Sequence, residues 1–158
     1  MLRPSDHLHY LTQFLSHKRW VWVEGRALGV PVWHLAAHDM TRLFPDEWLA
    51  SVRHAYGRTE LSPAGMAASR RALERHQRRN RHHPQAWVRR GEARAMPDRY
   101  RREMLADWHA AGHRHEAMSS RAWYLANRHR LPLHPETRAW VEHELGVAEE
   151  EGEAAPTA

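Results

Sequence analysis

The chain has 158 residues, enough for one hydrophobic core but not for two independent ones. It contains no cysteine, which excludes a disulfide scaffold and every thiolate zinc, iron-sulfur or redox site; any metal must be held by His and carboxylate. The net charge is +5, but Glu149, Glu150, Glu151 and Glu153 lie in the tail, so residues 1–148 carry 24 basic against 15 acidic side chains, or +9.

Taken in chain order, the segments read as helices. Ser5 is the N-cap candidate for a helix from Asp6 to Leu28, closed by Gly29 and Pro31. Tyr10, Phe14, His17 and Val21 recur at helical spacing, which puts His17 on an apolar face. A short helix over Val32–His38 places His38 and Asp39 at a helix end, and Pro45 opens a helix over Asp46–Ala55. Ser62 and Pro63 start a helix running to about Asn80, which must stop before Pro84. After a loop rich in Arg, a helix over Asp98–Ala111 ends at Gly112, with Tyr100, Met104, Asp107 and Ala111 on one face. Helices over Ser120–Asn127 and Pro135–Leu145 complete the series. No β alternation is evident. The expectation is an all-α bundle of six or seven helices over residues 1–146, followed by an acidic disordered tail, 147–158. The longest charge-free stretch, Ala27–His38, is too short to span a bilayer, and the N-terminus lacks a signal-peptide pattern, so a cytoplasmic protein with no membrane partner is expected.

The chemistry rests on a few polar residues placed where apolar ones belong. An uncompensated imidazole at His17 or carboxylate at Asp107 would be costly on an apolar helix face, and a shared metal would satisfy both. With His38-Asp39 they form a 2-His-2-carboxylate set suited to a hard or borderline divalent ion. In HQRRNRHH, His76, Asn80 and His83 are spaced by four and three residues, so a continuous helix aligns them and turns His82 elsewhere. This second cluster makes room for two metals. Two ions bridged by Asp39 could clamp a phosphate and lower the pKa of water to about 7.

His17, His38-Asp39 and Asp107, in that order, resemble the H…HD…D signature of the HD (His-Asp) superfamily of metal-dependent phosphohydrolases, which are all-helical. Two-metal HD proteins carry extra His between the dyad and the last Asp, where His76, His82 and His83 stand. The blocks SHKRWVWVEGRALGVPVWHLAAHDMTRLFPDEW, HQRRNRHHPQAWV, MPDRYRREMLADWHAAG and LHPETRAWVE are also similar to a family of short bacterial and phage proteins defined as a domain of unknown function, over most of residues 7–142. The resemblance implies a metal set of His17, His38, Asp39, His76, His82, His83 and Asp107, holding one or two ions of Mn, Fe, Co, Ni, Zn or Mg. Asp39 and Arg42 are the implied catalytic residues, and Arg42, Asn80, His134 and Arg138 the implied substrate contacts. One departure stands out: HD proteins often follow His-Asp with a small residue and Lys, where this chain has Thr41-Arg42. Arg binds phosphate bidentately but cannot serve as a tunable proton donor.

Phosphohydrolysis of a small phosphorylated molecule, a nucleotide included, is the leading functional expectation. Two others compete with it. Some two-metal HD proteins are di-iron oxygenases. The segment Arg58–Arg102 holds 13 Arg against Glu60, Glu74, Glu92 and Asp98, which suits a non-enzymatic protein that binds nucleic acid. Trp20, Trp22, Trp33, Trp108, Trp123 and Trp140 are expected in the core and at helix contacts, and His109, His113, His115, His129 and His143 on the surface.

Overall fold

Proline at the first helical position supplies a preset φ where the missing N–H costs nothing, and four helices of the computed structural model begin this way: α1 (Pro4–Ala27), α3 (Pro45–Tyr56), α4 (Pro63–Arg79) and α7 (Pro135–Glu144). The others are α2 (Val32–Ala37), α5 (Asp98–Arg114) and α6 (Ser120–Asn127), with short 3-10 turns at Met40–Leu43, Pro84–Trp87 and Arg128–Arg130. The structure describes residues 2–57, 62–114 and 118–147. The chain is an all-α bundle. Val147, expected to begin the tail 147–158, is buried in the main core because its side chain packs with Leu145 and Val141; residues 148–158 and His115 lie outside the described residues.

Three local expectations are corrected. Helix α1 starts at Pro4, and the Asp6 carboxylate rather than Ser5 does the capping, accepting from the Arg3 backbone N–H at 2.7 Å. Helix α5 passes through Gly112 to Arg114. A two-residue hairpin pairs Val88 with Ala93 and Arg89 with Glu92. Arg90 and Gly91 turn it with φ of 52° and 84°, the left-handed pair that matches strand twist. Such short strands leave no periodicity to read.

The long helices α1 and α5 run in the same direction, since His17 meets Asp107, Val21 shares a small core with Ala110, and Glu24 bonds His113. Helices α3 and α4 are antiparallel neighbours, tied by Asp46 to Arg75 and Arg79. The main apolar core lies on one side of α5, where Met104, Leu105 and Trp108 meet Tyr124 of α6, Val141 of α7 and Met96. Trp22 and Trp33, expected inside, are 42 % and 64 % exposed. The other side of α5 carries Glu103 and Asp107, so one rigid helix separates an apolar core from a polar one.

Because Met104 is fully buried in that core, Met104→Ala removes packed volume and is expected to cost about 2–5 kcal/mol. Urea denaturation measures it, and a loss below about 1 kcal/mol would contradict the assigned core.

Candidate metal centre

Helix α2 is six residues long and ends at a proton-rich junction. Its last carbonyls lack helical partners, and Lys18, the one lysine in the chain, donates to the carbonyls of Ala36 at 2.9 Å and His38 at 2.8 Å. Asp39 then adopts φ 57°, a left-handed conformation that Asp tolerates better than most residues. That turn aims the Asp39 side chain inward, where it is 1 % exposed.

Four imidazoles point Nε2 at two carboxylates, and a fifth, His83, packs against one of them. Asp39 Oδ1 lies 3.3 Å from His76 Nε2, 3.3 Å from His82 Nε2 and 3.9 Å from His38 Nε2. Asp107 Oδ1 lies 2.9 Å from His17 Nε2 and 3.7 Å from His38 Nε2. His83 Nε2 is 2.9 Å from His76 Nε2. Three overlapping groups have ligand atoms mutually within 4.8 Å: His17, His38 and Asp39; His38, His82 and Asp107; and Asp39, His76, His82 and His83. Asp39 belongs to the first and last, so one carboxylate could serve an ion in either group.

His82 is the correction here. Helix α4 ends at Arg79, and Asn80 is already extended, so the 100° rotation per helical residue no longer applies. Both His82 and His83 therefore turn inward. Asn80 donates to Thr41 Oγ1 at 2.7 Å and to the His76 carbonyl at 2.9 Å, which makes it a brace for the loop.

Glu103 and Glu47 hold the outer nitrogens and were missed in the sequence. Glu103 Oε1 accepts from His38 Nδ1 at 3.0 Å and faces His82 Nδ1 at 3.4 Å, while its Oε2 accepts from His34 Nδ1 at 3.0 Å. Glu47 Oε2 accepts from His76 Nδ1 and from Thr41 Oγ1, both at 2.9 Å. A carboxylate can only accept, so these bonds fix the proton on Nδ1 and turn the Nε2 lone pair toward Asp39, as in carboxylate-histidine-metal arrangements. Helical spacing could have found two of the residues, since Glu103 lies four before Asp107 and His34 four before His38.

The site passes a direct test of fit. His38 Nε2, His82 Nε2 and Asp39 Oδ1 are buried with no hydrogen-bond partner. Buried polar groups are seldom left so, and a divalent ion among them would satisfy all three. The electrostatics agree. Burial opposes ionisation of Asp39, yet His38, His76, His82 and Arg42 hold its pKa well below the usual carboxylate range. Burial likewise opposes charge on His82, but Asp39 and Glu103 push its pKa up to about 10. Burial and the charge on His82 drive His83 the other way, well below the ordinary imidazole value.

The remaining expected residues divide. Arg42 Nε donates to Asp39 Oδ2, the carboxylate oxygen turned away from the imidazoles. His134 caps α7, accepting from the Glu136 N–H at 3.3 Å. Arg138 donates to Tyr124 Oη at 3.2 Å and to the carbonyls of Arg128 and Leu131. The partners of these last two belong to the α6–α7 end, away from the imidazole cluster.

Two outcomes follow. Glu103→Gln, keeping the shape but losing the charge, is expected to weaken binding of Mn or Zn by about 10–100-fold in chelator competition; unaltered affinity would contradict the bracing role. His82, with its folded pKa above the unfolded value, stabilises the metal-stripped protein fully below about pH 6.5, a contribution lost as pH rises through about 10. Urea midpoints of metal-stripped protein should therefore fall across that window. Metal affinity should rise with pH there, because the ion must displace the Nε2 proton.

Among the described residues no helix is long and apolar enough to cross a membrane. No curated protein and no solved structure matches the chain. The profile of the Family of unknown function (DUF5662) matches residues 6–147. That match covers α2 to α7, all of α1 beyond its first two residues and every residue of the His-Asp cluster, and the chain belongs to this family.

Proposed function

We propose that the chain is an HD-type, metal-dependent phosphohydrolase acting on a small phosphorylated molecule such as a nucleotide. The observation that carries the reading is the convergence of His17, His38, His76, His82 and His83 on Asp39 and Asp107, with three buried polar atoms there unpartnered. The chain order of His17, His38-Asp39 and Asp107 is that of the HD signature, and the all-α fold accommodates it. One or two divalent ions (Mn, Fe, Co, Ni, Zn or Mg) would supply Lewis acidity and a water acidified toward neutral pH.

The chain's own residues supply orientation and charge. Glu103 and Glu47 fix the imidazole rings by their Nδ1 protons. Arg42 neutralises the outer oxygen of Asp39, and its side chain keeps 32 % of its surface exposed, which leaves it within reach of a phosphate oxygen. The +9 body charge concentrates anions near that opening. A tunable proton donor is missing at position 42, so leaving-group protonation falls to one of the imidazoles or to solvent.

Five imidazoles against two carboxylates form a donor set that iron also accepts, which favours an HD-type di-iron oxygenase as the second reading. Exposed Arg78, Arg81, Arg89, Arg90 and Arg94 around the hairpin favour nucleic-acid binding as a third.

With Mn, Co, Ni, Fe, Zn or Mg supplied, the protein is expected to release inorganic phosphate from a panel of nucleotides and sugar phosphates. Loss of a charge-assisted bond makes Arg42→Ala raise KM about tenfold or more, with Arg42→Lys in between because the charge stays and the fork goes. No phosphate release with any metal, together with oxygen uptake with ferrous iron, would replace this reading by the oxygenase. DNA binding that is salt-dependent and survives metal removal would support the third.

A further inference from the structure

A groove of about 990 Å³ opens between α3 and α4, and three of its lining residues, Arg42, Glu47 and His76, also belong to the metal centre or its braces. The groove is therefore continuous with the reacting end of the site. It exists because the facing stripes of the two helices carry small side chains, Ala50 and Ser51 on α3 against Ser69 and Ala72 on α4, which leave space between the axes. From His76 back to Met66 the α4 stripe runs ten residues, or about 15 Å at the rise of an α-helix. Along it Leu73 and Met66 stay 53 % and 49 % exposed, so the groove presents apolar surface to solvent. Arg70, between those two positions on α4, and Arg53 of α3 also line it. The stretch nearest the metal centre, Ala50, Ala72 and Leu73, is thus apolar, with cationic side chains farther along.

We infer that this groove is the binding site for the alcohol part of the substrate, and that the substrate is a small organic monophosphate whose alcohol portion is apolar, alkyl or aryl. The inference rests on the phosphohydrolase reading and narrows it. The phosphate sits beside Arg42 and His76, and the organic group lies along Ala50, Ala72 and Leu73, covering apolar surface otherwise left in water. A bare phosphate gains none of that burial.

Calorimetric titration of the full chain in Mn tests this, with hexyl phosphate, phenyl phosphate and inorganic phosphate as the probes. Both esters should bind about tenfold or more tighter than inorganic phosphate, since burying several methylenes or a ring is worth at least that. Leu73 is exposed, so the neutral Leu73→Asn should leave the fold intact. It should erase most of the esters' advantage without altering inorganic phosphate binding, while Leu73→Met should keep it. Equal affinity for esters and inorganic phosphate, or an ester advantage untouched by Leu73→Asn, overturns the groove assignment and leaves the phosphate site standing. If no phosphate compound binds at all, the phosphohydrolase reading fails and this inference fails with it.

Discussion

Two carboxylates, Asp39 and Glu103, are buried and a third, Asp107, is half-buried among shared imidazole partners, and a protein of this size can hold them only if each charge is compensated. Buried charge is expensive unless paired and hydrogen-bonded. Glu103 shows one solution, with imidazole N–H groups from His34 and His38 on its two oxygens and His82 close by. Asp39 shows a partial one. Arg42 serves its Oδ2, but Oδ1 faces imidazole nitrogens at distances too long or too poorly aligned to count as hydrogen bonds. The carboxylate that is braced and the one left incomplete differ in what they can do: Glu103 organises the rings, and Asp39 keeps an oxygen that could take a cation.

This division explains the architecture around it. The site needs residues from α1, from the α2 end, from α4 and its following loop, and from α5, and each arrives by its own local device. Lys18 caps α2 so that the chain can reverse at Asp39. Asn80 ends α4 and braces Thr41, which lets His82 and His83 fold back over His76. Helix α5 stands behind everything, its apolar side anchored in the main core and its polar side offering Glu103 and Asp107 one turn apart. A core of that kind on one face makes the other face rigid enough to hold a charged cluster.

Much of this was legible in the sequence wherever local rules decide. Helix starts at Pro45, Pro63 and Pro135 follow from a ring that presets φ. His17 and Asp107 stood out because apolar periodicity surrounded a polar residue. Where tertiary contact decides, local rules failed. The direction of His82 hung on where α4 stops, and that is decided by an Asn that bonds backward to its own turn and across to Thr41. Glu47 carried no signal, and Glu103 and His34 carried only their four-residue spacing from Asp107 and His38, because residues that brace a ligand look like ordinary surface acids and imidazoles until the elements dock. Trp22 and Trp33 were expected inside on hydrophobicity alone, yet large aromatics stay partly exposed when no neighbouring helix covers them. The Arg90-Gly91 hairpin was too short for any period to mark it.

The central claim is that Asp39 bridges ion positions built from five imidazoles and Asp107. Metal stoichiometry of the purified full chain tests it most directly, measured by elemental mass spectrometry beside Asp39→Asn, which keeps the shape but removes the bridging charge. One to two divalent ions per wild-type chain, falling to trace in Asp39→Asn, is the expected result. A wild-type chain that holds no ion above trace after equilibration with each of the candidate metals, or an Asp39→Asn chain that holds as much as wild type, would contradict it.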